Sequence, residues 1–544
     1  MECPLMKRKL PALLLLTSSL ASPLLSAQAV GGEWEEIMSF SGGGHGVADA
    51  GDVDGDGISD VITTNGGEAT VYSGATAAVL HRFSPPYDRY WQRVASAGDI
   101  DGDGYGDILI GDDATHLGGN ISGVTVYSGA TGGVLLFFDD QTYGIDQMGF
   151  SMASVGDVDG DSVPDILVGG HINQIGSILN PGVVFLFSGA SGSLLHRFAG
   201  TSDYESFGSA VAGAGDINGD GVPDLIIGAY SADSLSIVDC GAVFVYSGAD
   251  YSLIHQIYGT EANRSIGSQV ANAGDVDLDG VPDFLVGGYH STWPGPFTMD
   301  GFLFSGASAT LIHHVWPNTD SSMGGSLAAG KDVDGDGIPD FMLGIPGKGH
   351  MPHGGSVFVF SGNSGDAIKK FNSSAHNAEF GMSGAFLEDK NGDGLADIII
   401  GADRNHEAFV YSLNPYLHPE ADTLSVASGS TLQFDLAFPI SEAGVPYTML
   451  GSLAGIGPTW RNGLEIPLTP DPLFSDFMSG NIPTALQGAV GSLDANAEAQ
   501  VILTAGPSLS RAIGRTVYFA AVTYDLGPPA GRMSSAVRYV EILP

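Results

Sequence analysis

Nine residues, Asp52–Asp60, carry carboxylates at positions 1, 3, 5 and 9 and a glycine at position 6. Glycine at that place permits a tight reversal that turns the acidic side chains towards one point. Calcium takes roughly six to eight oxygen ligands, and a backbone carbonyl at position 7 would add one to the four carboxylates. A single copy of the pattern is also compatible with a solvated Asp/Gly turn.

The same pattern recurs seven times along the chain, with its first aspartate at positions 52, 99, 157, 216, 275, 332 and 389. Of the 28 side chains at positions 1, 3, 5 and 9 of these loops, 26 are aspartate and two are asparagine. Unrelated turns do not keep such a register, so we predict up to seven Ca²⁺ sites, one per repeat. The predicted ligands, with position 7 contributing its carbonyl, are Asp52, Asp54, Asp56, Ile58 and Asp60; Asp99, Asp101, Asp103, Tyr105 and Asp107; Asp157, Asp159, Asp161, Val163 and Asp165; Asp216, Asn218, Asp220, Val222 and Asp224; Asp275, Asp277, Asp279, Val281 and Asp283; Asp332, Asp334, Asp336, Ile338 and Asp340; and Asp389, Asn391, Asp393, Leu395 and Asp397.

The residues after each loop distinguish it from the helical type of calcium loop. That type ends with a glutamate at position 12, on a helix. Here position 12 is threonine, isoleucine, valine or leucine in every copy, and most loops lead into short apolar, β-branched runs. Such runs are typical of β-strands, so each loop is predicted to join one strand to the next.

The spacing of the loops indicates a repeat architecture, because successive copies lie 47, 58, 59, 59, 57 and 57 residues apart. In the third unit, apolar runs predict strands at 148–155, 166–169, 182–187 and 194–198, with a tight Ser-Gly turn at 188–192. Four strands per unit, repeated seven times, predict a seven-bladed β-propeller.

The two ends of the repeat array predict how the ring closes. The seventh unit ends after its third strand, and a matching fourth strand stands at Trp34–Phe40, before the first repeat. We therefore expect Trp34–Phe40 to pair beside Glu407–Ser412, so that both ends of the array share one blade. Such pairing removes an open sheet edge, which would otherwise promote aggregation.

Composition excludes some classes of partner. The chain has 544 residues, a formal net charge of −43 and only 19 lysines and arginines, whereas phosphate binding needs basic side chains. Nucleic acid is therefore not an expected partner. High glycine content, 81 residues, together with regular turn motifs is typical of an all-β chain.

Residues 1–29 have the layout of a secretory signal, with basic Lys7–Lys9, apolar Leu10–Leu25 and small residues at 27 and 29. The apolar run is short for a membrane anchor, and no later stretch of sequence is long and apolar enough for one. We therefore expect a secreted, extracellular or cell-surface protein without a transmembrane anchor. Cys3 would leave with the signal, and Cys240 is predicted to be a buried, small apolar side chain.

The repeats resemble the FG-GAP repeats of the integrin α-chain head propeller and its secreted bacterial relatives, over about residues 31–414. The Phe-Gly pair stands nine residues before the first loop aspartate as Phe207-Gly208 and Phe380-Gly381, and in softened form as Met148-Gly149, Ile266-Gly267 and Met323-Gly324. The resemblance implies a propeller whose loops bind Ca²⁺ through side chains at positions 1, 3, 5 and 9 and a carbonyl at position 7. The family's inserted Asp-x-Ser-x-Ser motif and the Arg-Gly-Asp ligand sequence are absent, so integrin-like ligand binding is not implied.

Three loops depart from the pattern. Ser162 replaces glycine at position 6 of the third loop, where a side chain is expected to strain the turn. Asn218 and Asn391 keep an oxygen but lose a charge, so their sites should be weaker. The seventh loop also has Lys390 at position 2, where the others have valine or isoleucine, and we expect it to be the first to lack an ion.

Residues 415–544 lack the repeat. Short alternating apolar runs separated by proline and glycine predict one small β-sandwich-like domain there. It could serve attachment or sorting, or be a plain structural cap. The predicted division of the chain is therefore a signal at 1–29, the propeller at 30–414 and the β-sandwich-like domain at 415–544.

Catalytic motifs are scarce. Gly325–Lys331 matches the start of a phosphate-binding loop, but Asp332 follows where that motif needs serine or threonine, so we interpret it as a chance match. His81, His196, His255 and His313 recur in predicted fourth strands and are interpreted as a repeated outer-strand residue.

Two functions stay open from the sequence. The first is a calcium-stiffened binding or adhesion module for an extracellular protein or glycan. The alternative is a calcium-dependent carbohydrate-active enzyme of the polysaccharide lyase kind, which would need basic, histidine or tyrosine side chains in one cleft. Few basic side chains stand in predicted loops; among them are Arg89, Arg93, Arg264 and Lys348.

Overall fold

A computed structural model gives the fold of the chain. It describes residues 14–15, 32–65, 67–84, 92–112, 122–144, 147–170, 174–175, 178–291, 297–317, 325–347, 354–373, 378–415, 417–419, 423–426, 430–438, 444–454, 459–461, 464–466, 468, 470–478, 483, 485–495, 497–505, 512–524, 531–534 and 538–543.

Seven blades of four antiparallel strands each follow one another along the chain, and we number them as blades 1 to 7. From the innermost to the outermost strand they are Gly46–Gly51, Asp60–Thr64, Ala69–Tyr72 and Val79–Phe83 (blade 1); Gln92–Gly98, Asp107–Asp112, Gly123–Tyr127 and Val134–Asp139 (blade 2); Ser151–Ser154, Ile166–Gly170, Val183–Phe187 and Leu194–Ala199 (blade 3); Phe207–Gly215, Asp224–Ala229, Ala242–Tyr246 and Leu253–Tyr258 (blade 4); Ile266–Gly274, Asp283–Ser291, Phe297–Phe304 and Leu311–Val315 (blade 5); Leu327–Lys331, Asp340–Ile345, Ser356–Phe360 and Ala367–Asn372 (blade 6); and Phe380–Leu387, Asp397–Ala402, Glu407–Pro415 and Gly32–Ser41 (blade 7).

The seven blades form a closed ring. Each innermost strand contacts the innermost strand of the next blade, and that of blade 7 contacts that of blade 1. The outermost strand of blade 7 is the N-terminal segment Gly32–Ser41, which pairs antiparallel with Glu407–Pro415. The predicted pairing of Trp34–Phe40 with Glu407–Ser412 is therefore confirmed, and with it the seven-bladed β-propeller.

Apolar packing between neighbouring blades holds the ring together. Each of the seven junctions has its own cluster of buried side chains, to which the facing sheets contribute. The second strands are buried along their whole length in most blades, as in Ile166–Gly170. A strand covered on both faces needs a continuous apolar run rather than alternation, which is the pattern that follows the loops in the sequence.

Residues beyond the propeller form a two-sheet sandwich with a separate core. One sheet has the order Leu417–Pro419, Thr431–Ala437, Glu498–Thr504 and Leu486–Gln487; the other has the order Thr423–Ser425, Arg538–Leu543, Arg515–Tyr524, Pro446–Ser452 and Val490–Ser492, with Gly531–Ser534 beside Arg515–Tyr524. One apolar cluster, which includes Phe434, Met449 and Phe519, lies between the sheets. The β-sandwich-like fold predicted for this region is therefore confirmed.

The remaining elements are short. Two-residue strands lie at Leu14–Leu15, parallel to the outer strand of blade 4, and at Gln174–Ile175 with Ile178–Leu179; a hairpin joins Thr459–Arg461 and Leu464–Ile466; and helical turns span Asp140–Tyr143, Asp403–Asn405 and Pro472–Met478. No helix in the described ranges is long and apolar enough to cross a membrane.

Candidate metal centres

Each Asp-rich loop connects the innermost strand of a blade to the second strand, which begins at or just after position 9 of the loop. The turn depends on two residues in the left-handed backbone region, at positions 4 and 6. In the first loop these are Gly55, with φ of 79°, and Gly57, with φ of 87°. Ser162 at position 6 has φ of 73°, so this non-glycine residue does adopt the left-handed conformation in which a side chain is expected to be strained.

A second non-glycine residue shares this conformation and was not singled out from the sequence. Leu278 stands at position 4 of the fifth loop with φ of 60°, and its side chain is exposed. The signal was present in the sequence, because position 4 is glycine in the six other loops.

Backbone N–H groups fix the carboxylate at position 1. In all seven loops the N–H of position 6 donates to Oδ2 of position 1, at 2.6–3.0 Å. In the first loop Gly55 N also donates to Asp52 Oδ1, at 2.7 Å. A carboxylate has about four acceptor sites, so these oxygens keep acceptor capacity for a cation.

The carboxylate at position 9 is the buried end of each loop. Asp60 has no exposed surface; its Oδ2 accepts from Val53 N at 2.7 Å and its Oδ1 from Gly74 N at 2.8 Å. Six loops share both bonds, because a Ser-Gly turn between the third and fourth strands supplies the glycine. The seventh loop keeps only the first bond, from Lys390 N to Asp397 Oδ2, and Leu413 stands where the others have glycine.

Burial makes ionisation of these position 9 carboxylates unfavourable in the absence of a cation. It raises the pKa of Asp60 and Asp165 to about 6 and that of Asp397 to about 7, against the opposing effect of hydrogen bonds to each carboxylate. The pKa values of Asp107, Asp224 and Asp283 are raised for the same reason. Neighbouring loop carboxylates raise them further, as Asp54 and Asp52 do at Asp60.

Five loops bring three carboxylates close enough together to hold a metal ion, with one oxygen from each within 4.8 Å of the others. The five groups are Asp52, Asp54 and Asp60; Asp99, Asp101 and Asp107; Asp157, Asp159 and Asp165; Asp275, Asp277 and Asp279; and Asp332, Asp334 and Asp340. The donors are all oxygens, which favours a hard cation such as Ca²⁺ or Mg²⁺ over zinc or copper.

The fourth and seventh loops are not among these groups in the described part of the chain, because asparagine takes position 3. Asn218 Nδ2 donates to Asp224 Oδ1 at 3.4 Å. Asn391 Nδ2 donates to Asp393 Oδ2 at 3.1 Å and to Ser412 Oγ at 3.0 Å. In both loops an amide N–H thus offsets part of the negative charge among the carboxylates.

The sixth loop is the most enclosed. Asp336 at position 5 is 7% exposed, whereas the corresponding side chains of the first five loops are exposed. Burial and the charge of Asp332 raise the pKa of Asp336 to about 7. Asn363 Nδ2 donates to its Oδ2 at 3.2 Å, a contact from the turn after the third strand.

The other residues with chemistry in the sequence have structural partners. His81, His255 and His313 lie on outermost strands, as expected, and each Nε2 lies 2.6–2.8 Å from the carbonyl of the Ser-Gly turn glycine in the next blade. His196 stacks instead on Tyr251, with ring centroids 4.2 Å apart. These histidines therefore link neighbouring blades, a role that spacing alone did not indicate.

Of the four basic side chains noted in predicted loops, Arg93 and Arg264 lie in the described ranges, and each contacts another side chain. Arg264 is paired with buried Asp300, through Nη2 to Oδ2 at 2.5 Å, and with Glu261 at 2.8 Å. Arg93 lies over the ring of Phe150. Arg89 and Lys348 lie outside the described residues.

Two further sequence interpretations can be compared with the fold. Leu327–Lys331, the end of the segment that resembles a phosphate-binding loop, is the innermost strand of blade 6, so the chance match is confirmed. Cys240 is fully buried, its Sγ lies 3.5 Å from the carbonyl oxygen of Ala232, and burial raises the pKa of its thiol.

The FG-GAP repeat family matches the chain at residues 207–246 and 323–360, within blades 4 and 6. The chain is 30% identical over 230 residues to integrin alpha-5 of Xenopus laevis, which covers 38% of this chain and 20% of the relative. It is 30% identical over 227 residues to integrin alpha-V of Gallus gallus (39% and 20%) and 29% identical over 191 residues to integrin alpha-PS5 of Drosophila melanogaster (31% and 18%). The matched part thus spans about a fifth of these relatives. The chain therefore contains FG-GAP repeats in blades 4 and 6, and its propeller region is similar to the integrin alpha chains.

Proposed function

We propose that this protein is a secreted or cell-surface binding module whose propeller is stiffened by Ca²⁺ in its Asp-rich loops and presents a surface to an extracellular protein or glycan. The observation that carries the proposal is the convergence of three loop carboxylates within 4.8 Å in five of the blades. The proposed ligands are positions 1, 3, 5 and 9 of every loop, with the carbonyl of position 7. In the two loops with asparagine at position 3, binding is proposed to be weaker.

Electrostatics support a structural role for the ion. Each close pair of carboxylates costs on the order of 1–4 kcal/mol at effective dielectric constants between about 80 and 20. Without a cation each loop therefore opposes its own fold, and an ion that binds only the folded loop stabilises the propeller by linkage. Calcium outside cells is abundant enough to fill weak sites of about 10⁻⁴–10⁻³ M, which fits the proposed signal at residues 1–29.

In this proposal the propeller at residues 30–414 provides the ligand-binding surface, and the sandwich at residues 415–544 serves as a tether or cap. Similarity to integrin alpha chains supports a binding or adhesion role for the propeller. The alternative is a carbohydrate-active enzyme, which would need a basic side chain that can contact the substrate. Among the described residues Arg264 was a candidate for this role, but it is already paired with the carboxylates of Glu261 and Asp300.

Calorimetry tests the structural role of the ion. The melting temperature of the full chain is measured in excess chelator, in millimolar Ca²⁺ and in millimolar Mg²⁺. We expect Ca²⁺ to raise it well above the chelator value and Mg²⁺ to raise it less, because Mg²⁺ demands a tighter octahedral site. Equal melting temperatures in chelator and Ca²⁺ would contradict the proposal.

Binding and catalysis are separated by a second experiment. The Ca²⁺-loaded protein is applied to an array of glycans and extracellular proteins, and in parallel to acidic polysaccharides in a lyase assay. Retention that depends on Ca²⁺, without formation of unsaturated products, is expected for a binding module. Turnover of a polysaccharide would instead establish the enzyme.

A further inference from the structure

At the junction between blades 7 and 1, a charged side chain stands at a loop position that is apolar in the six other loops. Position 2 of the loop is a buried valine or isoleucine in six repeats, namely Val53, Ile100, Val158, Ile217, Val276 and Val333. In the seventh it is Lys390.

The side chain of Lys390 takes the place of the valine or isoleucine side chain of the other loops. At the junction of blades 1 and 2, Val53 packs against Gly129 in the Ser-Gly turn of the next blade. At the junction of blades 7 and 1, the ammonium of Lys390 packs against Gly74 in the corresponding turn, 3.2 Å from where a Cβ on that glycine would stand. A cation therefore occupies the position that a methyl group of Val53 fills at the junction of blades 1 and 2.

Hydrogen bonds connect the ammonium of Lys390, in blade 7, to blade 1. Lys390 Nζ donates to the carbonyl oxygen and the hydroxyl of Ser59, at position 8 of the first loop. The Ser59 hydroxyl in turn donates to Asp49 Oδ2, at 3.2 Å. Since an ammonium has three donors and no acceptor, Lys390 acts here as a cation and not as a base towards the serine.

The surroundings of the ammonium are acidic and buried. Asp60 and Asp397, the position 9 carboxylates of the two loops that meet here, have no exposed surface, and Asp49 lies on the innermost strand of blade 1. Burial lowers the pKa of Lys390, and the charges of these three carboxylates and of Glu388 oppose that effect. Lys390 itself is half-buried, whereas Asp60 and Asp397 are fully buried. A buried charge that lacks a partner is strongly destabilising, so the ammonium stabilises the charged form of the carboxylates and they stabilise the charged form of the lysine.

A second lysine provides a matched comparison one junction away. Lys331 Nζ pairs with Glu388 between blades 6 and 7, but the two side chains are 38% and 58% exposed. Exposed ion pairs contribute little to stability. Both lysines are half-buried and share charge, length and an inter-blade partner. They differ in the groups around them, since Ser59, Asp60 and Asp397 are buried whereas Glu388 is exposed.

We propose that Lys390 is a built-in cation of this propeller: it holds blade 7 to blade 1 where the ring closes, and it takes over part of the charge neutralisation that Ca²⁺ provides in the other loops. The first half of this proposal stands on the contacts above. The second half rests on the proposed calcium function. Lys390 is a positioning residue, since it acts through the carboxylates of the two loops that it joins.

Urea unfolding of the full chain in chelator tests the first half. Lys390→Met keeps the length and removes the charge, and Lys331→Met is its control. We expect a clearly lower unfolding midpoint for Lys390→Met, an unchanged one for Lys331→Met, and recovery in Lys390→Arg. Equal midpoints for Lys390→Met and the unchanged protein, or an equal loss in the control, would overturn the proposal.

A double-mutant cycle separates charge from packing without any metal. Asp49 is outside the nine-residue loop, so Asp49→Asn alone, Lys390→Met alone and the pair together are compared in chelator. The double variant should lose less than the sum of the single losses. Additive losses would show that Lys390 only fills space. This outcome does not depend on whether the protein binds calcium.

Calcium titration tests the second half. Removing the charge should tighten Ca²⁺ binding in the two flanking loops by about tenfold, because a cation a few ångströms away repels the ion. The stability loss of Lys390→Met should also shrink in millimolar Ca²⁺. If the unchanged protein binds Ca²⁺ but the variant shows the same isotherm and the same loss, the second half is wrong. If neither binds Ca²⁺, the proposed function fails and the cycle above still decides the first half.

Discussion

At the scale of single residues, the aspartate at position 9 has two roles that conflict in the absence of an ion. It accepts backbone N–H groups from position 2 of its loop and, in six blades, from the Ser-Gly turn, so it holds two connections of the blade together. It is also buried beside other carboxylates, and burial raises its pKa. A bound cation resolves the conflict, because it offsets the charge while the N–H bonds remain.

The position 3 residue should set how strongly each loop binds its ion. We expect Asn218→Asp to tighten Ca²⁺ binding at the fourth loop, because it adds a fourth carboxylate. In chelator the same change should lower stability by roughly 1 kcal/mol or more, since it replaces the Asn218 Nδ2 contact with Asp224 Oδ1 by repulsion.

Calcium titration and urea unfolding check both halves of this prediction. Asp54→Asn in the first loop is the reverse control and should weaken binding while leaving chelator stability unchanged or raised. A variant Asn218→Asp that gained stability in chelator would contradict the argument from repulsion.

The raised pKa values of the position 9 carboxylates predict an unusual pH dependence for the metal-free protein. Their folded pKa of about 6 for Asp60 and Asp165 and about 7 for Asp397 exceeds the ordinary value of 3.8, so the folded state binds more protons than the unfolded state between about pH 4 and 7. Stability therefore falls as pH rises through this window.

The measurement is urea unfolding in chelator at pH 5.5 and pH 7.5. We expect the higher midpoint at pH 5.5. In saturating Ca²⁺ the order should reverse, because protons then compete with the ion for the same oxygens. A metal-free midpoint that rises between these two pH values would show that other groups dominate.

At the scale of the element, the blade depends on a close approach between two of its turns. In six blades a Cβ built on the glycine of the Ser-Gly turn would stand 1.8–2.0 Å from the carbonyl oxygen of loop position 8. The glycines are Gly74, Gly129, Gly189, Gly248, Gly306 and Gly362. Glycine is needed at these positions for space, while the loop glycines at positions 4 and 6 are needed for backbone conformation.

This difference predicts unequal effects of the same substitution within one blade. Gly129→Ala should destabilise the protein severely, because the methyl group meets the carbonyl of Gly106 and the two turns must separate. Gly102→Ala should cost only about 1–2 kcal/mol, since φ is 74° there but nothing lies within 4 Å.

Thermal unfolding in Ca²⁺ compares the two variants directly, and circular dichroism confirms that each still folds. If Gly129→Ala unfolds no lower than Gly102→Ala, the turns are free to separate and the close approach is not what fixes the glycine.

The sequence predicted those elements in which a residue pattern is typical of a single kind of structure. Alternation and apolar runs predicted the strands of blade 3 to within a few residues, and the Asp spacing located every loop. It could not show that Lys390 reaches Ser59 or that His81 reaches Gly129, because those contacts join residues 331 and 48 positions apart. The helix at Pro472–Met478 also escaped notice, since it is short and its apolar side chains are held by tertiary packing in the sandwich.

At the scale of the whole molecule, the ring combines many local contacts with one closure between distant ends of the chain. Six blades are built from consecutive strands, whereas blade 7 joins Gly32–Ser41 to residues more than 360 positions away. Trp34 packs edge-on against Phe371 of blade 6, with ring centroids 5.3 Å apart, so the N-terminal strand also covers part of the neighbouring blade. Closing so long a loop is entropically unfavourable, and the closure therefore depends on the strand pairing and on the junction contacts around it.

Removal of residues 32–41 should consequently affect the entire propeller. The strand Glu407–Pro415 would become an unpaired edge, and such edges promote association between chains. We expect the shortened protein to elute as dimers and larger species in size-exclusion chromatography in Ca²⁺, and to unfold at lower temperature than the full chain.

Addition of a synthetic peptide with the sequence of residues 32–41 should restore the monomer, because it can pair with the free edge in the register of the native strand. A control peptide with Phe40 and Trp34 replaced by serine should not, since these two aromatic side chains anchor the strand against Tyr72 and Phe371. A shortened protein that stays monomeric and melts unchanged would mean that six blades and three strands of the seventh are sufficient to keep the ring closed.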